Sequence, residues 1–355
     1  MTVFTYKKIR RLFMEFLTNI AEACMPFLYF LRDIGNPVFD FFFELITHIG
    51  EETVFLVISI IFFWCVNKRE GYFILLSGLF GTLINQWAKL ACRVPRPWMI
   101  DKGFLPIGDS MTEATGYSFP SGHTQNVSTT FGAIAAYNRK RWVTVTAVVI
   151  IALVAFSRMY LGVHTPLDVG VSLLVGLAVI LLMRPFFESD EKLNKALPYI
   201  AGTGVILSLG FMIFTLLMGG DETLDIHNYE SALKNAGTLL GCTLGLVLVW
   251  LCDRRTNFKT DANWYSQVIK AAIGFGGVML IKAGLSAPLT FLCFGNEIVA
   301  RVIRYFLIVA FAGAVWPLTF GWFSTLKIGF MERFTERVKN TFSKIFSKKK
   351  TDSEA

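Results

Sequence analysis

Ser157-Arg158-Met159-Tyr160-Leu161-Gly162-Val163-His164-Thr165-Pro166-Leu167-Asp168 lies between two long apolar runs, at the point where one ends and the next begins. His164 is followed by Thr-Pro-x-Asp, which reads as a helix start. Thr165 suits the N-cap, Pro166 the first helical position and Asp168 the third. From there the Asp168 carboxylate can reach the orphan backbone amides or one ring nitrogen of His164. In the second case it fixes the tautomer and leaves the other nitrogen free to act. A plain capping box and a braced histidine both fit these residues.

The flanking runs set the fold class. The chain has 355 residues, 54% hydrophobic and 17% charged, against roughly 25% charged in soluble domains. Its mean hydropathy is +0.53, and apolar runs recur along nearly its whole length. The composition excludes a soluble enzyme with a single anchor and predicts an all-α, polytopic transmembrane bundle. The net charge of +8 is expected to meet membrane lipids rather than nucleic acid. The six cysteines form no Cys-x-x-Cys pair, so neither a disulfide framework nor a metal site is expected. The N-terminal apolar stretch is interrupted by Glu15 and Glu22 and does not read as a cleavable signal peptide.

Taken in order, residues 1–35 read as an amphipathic segment with a basic start, lying in the membrane interface or, if residues 12–34 cross, adding a tenth span. Asn36-Pro37 ends it, and residues 38–49 suit a second interfacial or re-entrant helix. Spans are expected at about 51–66, 71–90, 122–138, 142–160, 166–184, 197–218, 236–252, 267–289 and 300–326, about nine in all. The first five, within residues 36–189, hold every chemically unusual residue cluster. Residues 190–326 form a further four-span region, and 327–355 a basic tail with Lys344 and Lys348-Lys349-Lys350. Lys and Arg collect in the loops near 68, 140, 190 and 255 and in the tail. The positive-inside rule then places the tail in the cytoplasm and residues 92–121 and 161–165 on the extracytoplasmic face.

Three segments put their chemistry on that one face: Lys89 with Arg96-Pro97, Pro120-Ser121-Gly122-His123, and Ser157-Arg158 with His164 and Asp168. Ionisable groups at membrane depth are costly and are functional by default. Lys89, Arg96 and Arg158 are three cations, and Ser121 and Gly122 open a helix, where free amides and the dipole attract anions. Together they describe a phosphate cradle. A histidine braced by a carboxylate can attack phosphorus, and a second histidine can protonate the leaving oxygen. Fixed cations can take the part of a metal ion in such a transfer, and no Asp/Glu/His set with ligand spacing lies nearby.

Lys-x6-Arg-Pro, Pro-Ser-Gly-His and Ser-Arg-x5-His-x3-Asp, in that order, resemble the three signature motifs of the type 2 phosphatidic acid phosphatase superfamily. It includes lipid phosphate phosphatases, undecaprenyl pyrophosphate phosphatases and glucose-6-phosphatases. The resemblance covers about residues 36–184 and implies a role for each motif residue. His164 would be the nucleophile that forms a phosphohistidine, Asp168 its orienting partner, and His123 the acid and then the base. Lys89, Arg96 and Arg158 would bind phosphate oxygens with Ser121 and the Gly122 amide, without metal or cofactor. The expected substrate is a lipid phosphate or diphosphate such as undecaprenyl pyrophosphate or phosphatidic acid. The expected location is a bacterial plasma membrane with the site extracytoplasmic. A small soluble phosphate ester, phosphoryl transfer to a second lipid, and a non-enzymatic transporter or scaffold are the other readings.

Outside the motifs, Gln125, Asn126, Ser128 and Thr129 read as helix-packing hydrogen bonders. Lys282 suits snorkelling, pairing with a carboxylate such as Glu297, or lining the substrate path, and a structural role is favoured. The Gly274-x-Gly276-Gly277 run suggests close helix packing, because no strand precedes it to make a nucleotide loop.

Overall fold

The computed structural model describes residues 3–333 apart from 109, 222 and 257, together with 335 and 337. Among them every regular element is a helix. The basic run Lys344 to Lys350 lies outside the described residues.

The chain enters through α1 (Val3–Ala23) and α2 (Met25–Asp33). Leu17 and Ala21 of α1 pack with Cys92, Val94 and Phe119, and Leu28 of α2 packs with Phe104. These helices therefore rest on the loops at one end of the bundle. Asn36 stops them as its neighbour Pro37 suggests, and its side chain accepts from the amides of Val38 and Phe39 to cap α3 (Pro37–Thr47). A one-turn segment, His48–Gly50, leads into α4 (Glu52–Ile61), which ends in a π-helical turn at Phe62–Val66. The two arms, Pro37–Gly50 and Glu52–Val66, meet at 51°.

Next comes α5 (Lys68–Cys92), capped by Asn67 and ended by Arg93 in the left-handed region. The one-turn helices α6 (Pro97–Ile100) and α7 (Ser110–Glu113) belong to the loop that follows. A three-helix set, α8 (Gly122–Asn138), α9 (Arg141–Tyr160) and α10 (Pro166–Met183), packs against α5. Then come α11 (Asp190–Met218), α12 (Ile226–Thr256), α13 (Trp264–Gly284), α14 (Ser286–Leu292), α15 (Glu297–Ala310) and α16 (Phe320–Thr325).

Helix α5 also touches α11 and α12, and α12 packs on α15. The largest apolar cluster runs from Phe73 and Phe80 of α5 to Leu246 and Val249 of α12. The region after residue 190 is thus built onto α5. Trp64, Trp316 and Phe311 lie where a Cβ at Gly274 or Gly277 would intrude, which is the close packing expected of that run. At the end of the bundle away from the motif loops, Asp253 accepts from Lys68 at 2.9 Å and from the Tyr72 hydroxyl at 3.1 Å.

Among the described residues six helices are long and apolar enough to cross a membrane: Arg141–Tyr160, Pro166–Phe187, Asp190–Met218, Ile226–Thr256, Trp264–Gly284 and Glu297–Thr325. The other three expected spans are the broken pair around Glu51, α5 and α8. Helix α8 has 17 residues, and α5 carries Lys, Arg, Asn and Gln. Both are wrapped by neighbours, with Tyr72, Ile74, Leu83, Ser128 and Thr129 buried. A helix shielded by protein needs no apolar surface of its own. Outer faces do: Leu177, Leu182, Ile206, Leu217 and Leu280 are exposed. So large an apolar surface would be a liability in water and matches lipid tails.

Candidate active site

Five helix ends meet at the motif end of the bundle: the close of α5 and α9, and the starts of α8, α10 and α12. The turn from α9 into α10 is held by the Arg158 carbonyl, which accepts from the amides of Val163 and His164 at 3.2 Å each. Gly162 sits in the turn at φ 75°, and a Cβ there would stand 2.7 Å from the Phe104 ring. Glycine is required on both counts.

Thr165 and Asp168 form the capping box. The Thr165 amide donates to Asp168 Oδ2 at 2.7 Å, and the Asp168 amide donates to Thr165 Oγ1 at 3.4 Å. The same Asp168 oxygen lies 3.4 Å from His164 Nδ1. The capping box is thus realised, and the oxygen that serves it also stands beside the ring at ion-pair distance. On the other side of the ring, an Arg96 terminal nitrogen lies 3.1 Å from His164 Nε2. A guanidinium can only donate, so Nε2 presents a lone pair and the ring proton belongs on Nδ1. Burial, and then the charges of Arg96 and Arg158, hold the His164 imidazole well below its ordinary range. Both effects favour the neutral ring over the imidazolium.

Arg96 is immobilised by three carbonyls. It donates to Thr115 at 2.8 Å, Val163 at 3.0 Å and Gly116 at 3.2 Å. Lys89 donates to the Tyr117 carbonyl, and Arg158 to the Thr47 hydroxyl. A cavity of about 190 Å³ is lined by Lys89, Arg96, Arg158, Gly122, His123 and His164. Six of the eight expected site residues thus face one space. Asp168 stands behind His164, 0% exposed. Ser121, also 0% exposed, does not line the cavity: its hydroxyl caps α8, accepting from the amide and hydroxyl of Thr124 at 3.4 and 3.0 Å. Gln125 and Asn126, expected only to pack, line the cavity, whereas Ser128 packs on Gly176. Among the described residues no group of three or more His, Cys, Asp or Glu is placed to hold a metal ion.

Sequence reasoning missed Ser118, which donates to Asp168 Oδ2 at 2.6 Å and lies 3.4 Å from His164 Nδ1. A serine in a polar loop carries no local signal. Its removal takes a donor from Asp168 and leaves the carboxylate more negative beside the ring. Ser118→Ala is expected to lower kcat/KM about tenfold, since the carboxylate–histidine alignment loosens. The acid limb of its pH profile should move to higher pH, because the imidazolium is then better stabilised. An unshifted profile would make Ser118 a packing residue only.

Also missed were Asn228, Ser231 and Asn235 of α12, which close the cavity opposite α8. Asn235 donates to Gln86 of α5 at 3.1 Å. A further tie joins Arg93 to Asp221, 2.9 Å apart, linking the motif loop to the connection between α11 and α12. The Thr223 hydroxyl and amide, and then Arg93, hold the Asp221 carboxyl down to about 2. Its unfolded value is higher, so the unfolded chain takes the proton first as pH falls. This contribution to stability should be complete above about pH 4 and vanish toward pH 2. Asp221→Asn should lose part of that acid sensitivity in thermal unfolding across the same window. An identical pH dependence in both proteins would leave the tie without weight.

Residues 70–192 match the PAP2 superfamily, and residues 233–327 match its phosphatase transmembrane extension. Phosphatidylglycerophosphatase B of Bacillus subtilis is 30% identical over 165 residues, 42% of this chain and 74% of the relative. The chain belongs to the PAP2 superfamily. All three motifs lie inside the PAP2 match, and α13 and α15 lie inside the extension. An undecaprenyl-diphosphatase of Sulfolobus acidocaldarius is 28% identical over 130 residues, 36% of this chain and 60% of that protein. Lipid phosphate phosphatase delta of Arabidopsis thaliana is 22% identical over 256 residues, 69% of this chain and 59% of that protein. No solved structure matches the chain at comparable significance.

Proposed function

We propose that this protein is a membrane phosphatase that hydrolyses a phosphate ester or diphosphate of a lipid through a phosphohistidine. The observation that carries the reading is the pairing of His164 Nε2 with Arg96 in a cavity that Lys89, Arg158 and His123 also line. His164 lines a space whose charged walls suit a phosphate, and a bound phosphate oxygen would draw the Arg96 donor away and free the Nε2 lone pair to attack.

In this mechanism Lys89, Arg96, Arg158 and the amides at the start of α8 hold the non-bridging oxygens. Nε2 of His164 attacks phosphorus, the P–O bond to the leaving group breaks, and His123 gives that oxygen a proton. Asp168 stabilises the imidazolium character that develops on the ring. Water then attacks the phosphohistidine, His123 takes its proton, the P–N bond breaks and inorganic phosphate leaves. Asp168 keeps its place through its bonds to Ser118 and Thr165, so the ring returns in the same tautomer. The distribution of Lys and Arg among the loops supports an extracytoplasmic site and a cytoplasmic C-terminus.

The named activities of the relatives favour a lipid head group over a soluble ester. The test is phosphate release by the purified protein from phosphatidic acid, phosphatidylglycerophosphate, undecaprenyl pyrophosphate and glucose 6-phosphate, each with and without a chelator. Release from a lipid that survives chelation is the expected result. Release from glucose 6-phosphate alone, or phosphate recovered on a second lipid, would replace the reading with one of its rivals.

A further inference from the structure

A second cavity, of about 270 Å³, lies between α4, α5, α12, α13 and α15. Leu56, Ile60, Leu246, Val278 and Ile308 form its apolar walls. Glu52, Lys282 and Tyr305 mark one end, and Tyr72, bonded to Asp253, marks the other. Protein interiors are close-packed, and an apolar space of this size forfeits contacts along every wall. It is not sealed. Leu56 and Met279, 37% and 52% exposed, line it from α4 and α13. Helix α13 meets the turn Phe62–Val66 and the break Phe311–Val315, with at most marginal contact to α4 itself.

Glu52 lines both this chamber and the cavity of His164. The two spaces therefore share one wall residue: a cationic pocket on one side, an apolar chamber on the other. From Glu52 to Ile60 along α4, at ~1.5 Å per residue, the chamber runs about 12 Å deep. Lys282 lines the Glu52 end of it.

We infer that this chamber holds the hydrocarbon tail of the lipid whose phosphate lies against His164. The inference rests on the lipid-phosphatase reading and assigns a task to the transmembrane extension, which supplies three of the five walls. Head group and tail would enter together from the bilayer, through the gap between α4 and α13. A tail that leaves lipid for the chamber gains little from the hydrophobic effect, because its surroundings were already apolar. What the chamber adds is shape. It fixes the ester relative to Nε2, so binding remote from the reacting atoms appears as turnover.

The experiment uses the full-length protein in nanodiscs and two lipid phosphates with one head group, a long-tailed and a short-tailed form. The wild type should favour the long tail in kcat/KM. Val278→Trp, which fills the chamber from α13, should reduce that long-to-short preference at least tenfold. A loss equal on both substrates, or no loss on either, would overturn the assignment. In parallel, a lipid phosphate with a diazirine at its tail end is photolysed on the wild type. Label on peptides carrying Leu246, Val278 or Ile308 is expected, and label confined to outward residues such as Leu217 and Leu280 would refute the chamber. If neither lipid released phosphate, the phosphatase reading itself would fail. The photolabel, which needs no turnover, would still decide where the tail lies.

Discussion

His164→Ala is expected to lower phosphate release by about four orders of magnitude in kcat, because no other group stands where Nε2 does. The fold should survive the change. Asp168 keeps its bonds to Ser118 and the Thr165 amide, and Arg96 keeps its three carbonyl partners. Neither charge is therefore left without a hydrogen bond, so the unfolding midpoint should move by only a few degrees. A second readout addresses the covalent step. A P–N bond survives alkali and breaks in acid, so wild-type protein quenched in base during turnover of a phosphate-labelled lipid should retain label. His164→Ala should retain none. Turnover by the variant at the wild-type rate, or label retained in it, would move the nucleophile elsewhere.

Arg96→Lys is the second large effect, because it keeps the charge and removes the fork. The guanidinium spans Thr115, Gly116, Val163 and His164 Nε2 at once, at 2.8–3.2 Å. An ammonium on a shorter plane-free stem cannot reach all four. We expect kcat/KM to fall about 10²–10³-fold, the usual loss when one fixed donor to a developing oxyanion goes. Of the carbonyls that lose a donor only that of Val163 is in a buried hydrogen bond, so a stability loss of about 1 kcal/mol should accompany it. Phosphate release and thermal unfolding on the same preparation separate the two. A variant within twofold of wild type in kcat/KM would take Arg96 out of the phosphate site.

Much of this site was legible before any coordinates. Helix caps are local: Thr165-Pro166-x-Asp168 and Asn36-Pro37 carry their geometry in three or four residues, and both appear where the residues put them. The same holds for the cationic motifs, because an intramembrane Lys or Arg needs a reason that its own segment can state. Ser121 allows two readings because one hydroxyl can cap a helix or face a ligand, and the sequence is the same for both; the structure shows it capping α8. Ser118 and the α12 wall were invisible for a different reason. Their roles depend on which loop or helix lies opposite, a relation between segments that no spacing records.

The span count shows the same division. Hydropathy reads a helix as though lipid surrounded it, which suits α9 to α13 and α15. Helices α5 and α8 carry the site and are surrounded by protein, so their polarity reports their neighbours instead. By itself, the sequence determined an all-helical membrane chain of the PAP2 superfamily with a complete set of motif residues, since periodicity, caps and motif spacing are properties of contiguous residues. Only the tertiary structure decided that the Asp168 oxygen of the cap also lies beside the ring, that Nε2 meets Arg96, and that α12 lines the cavity. It also decided that an apolar chamber opens beside the cationic pocket at Glu52. Each of these depends on how far apart non-adjacent helix ends come to rest, and packing alone sets that distance.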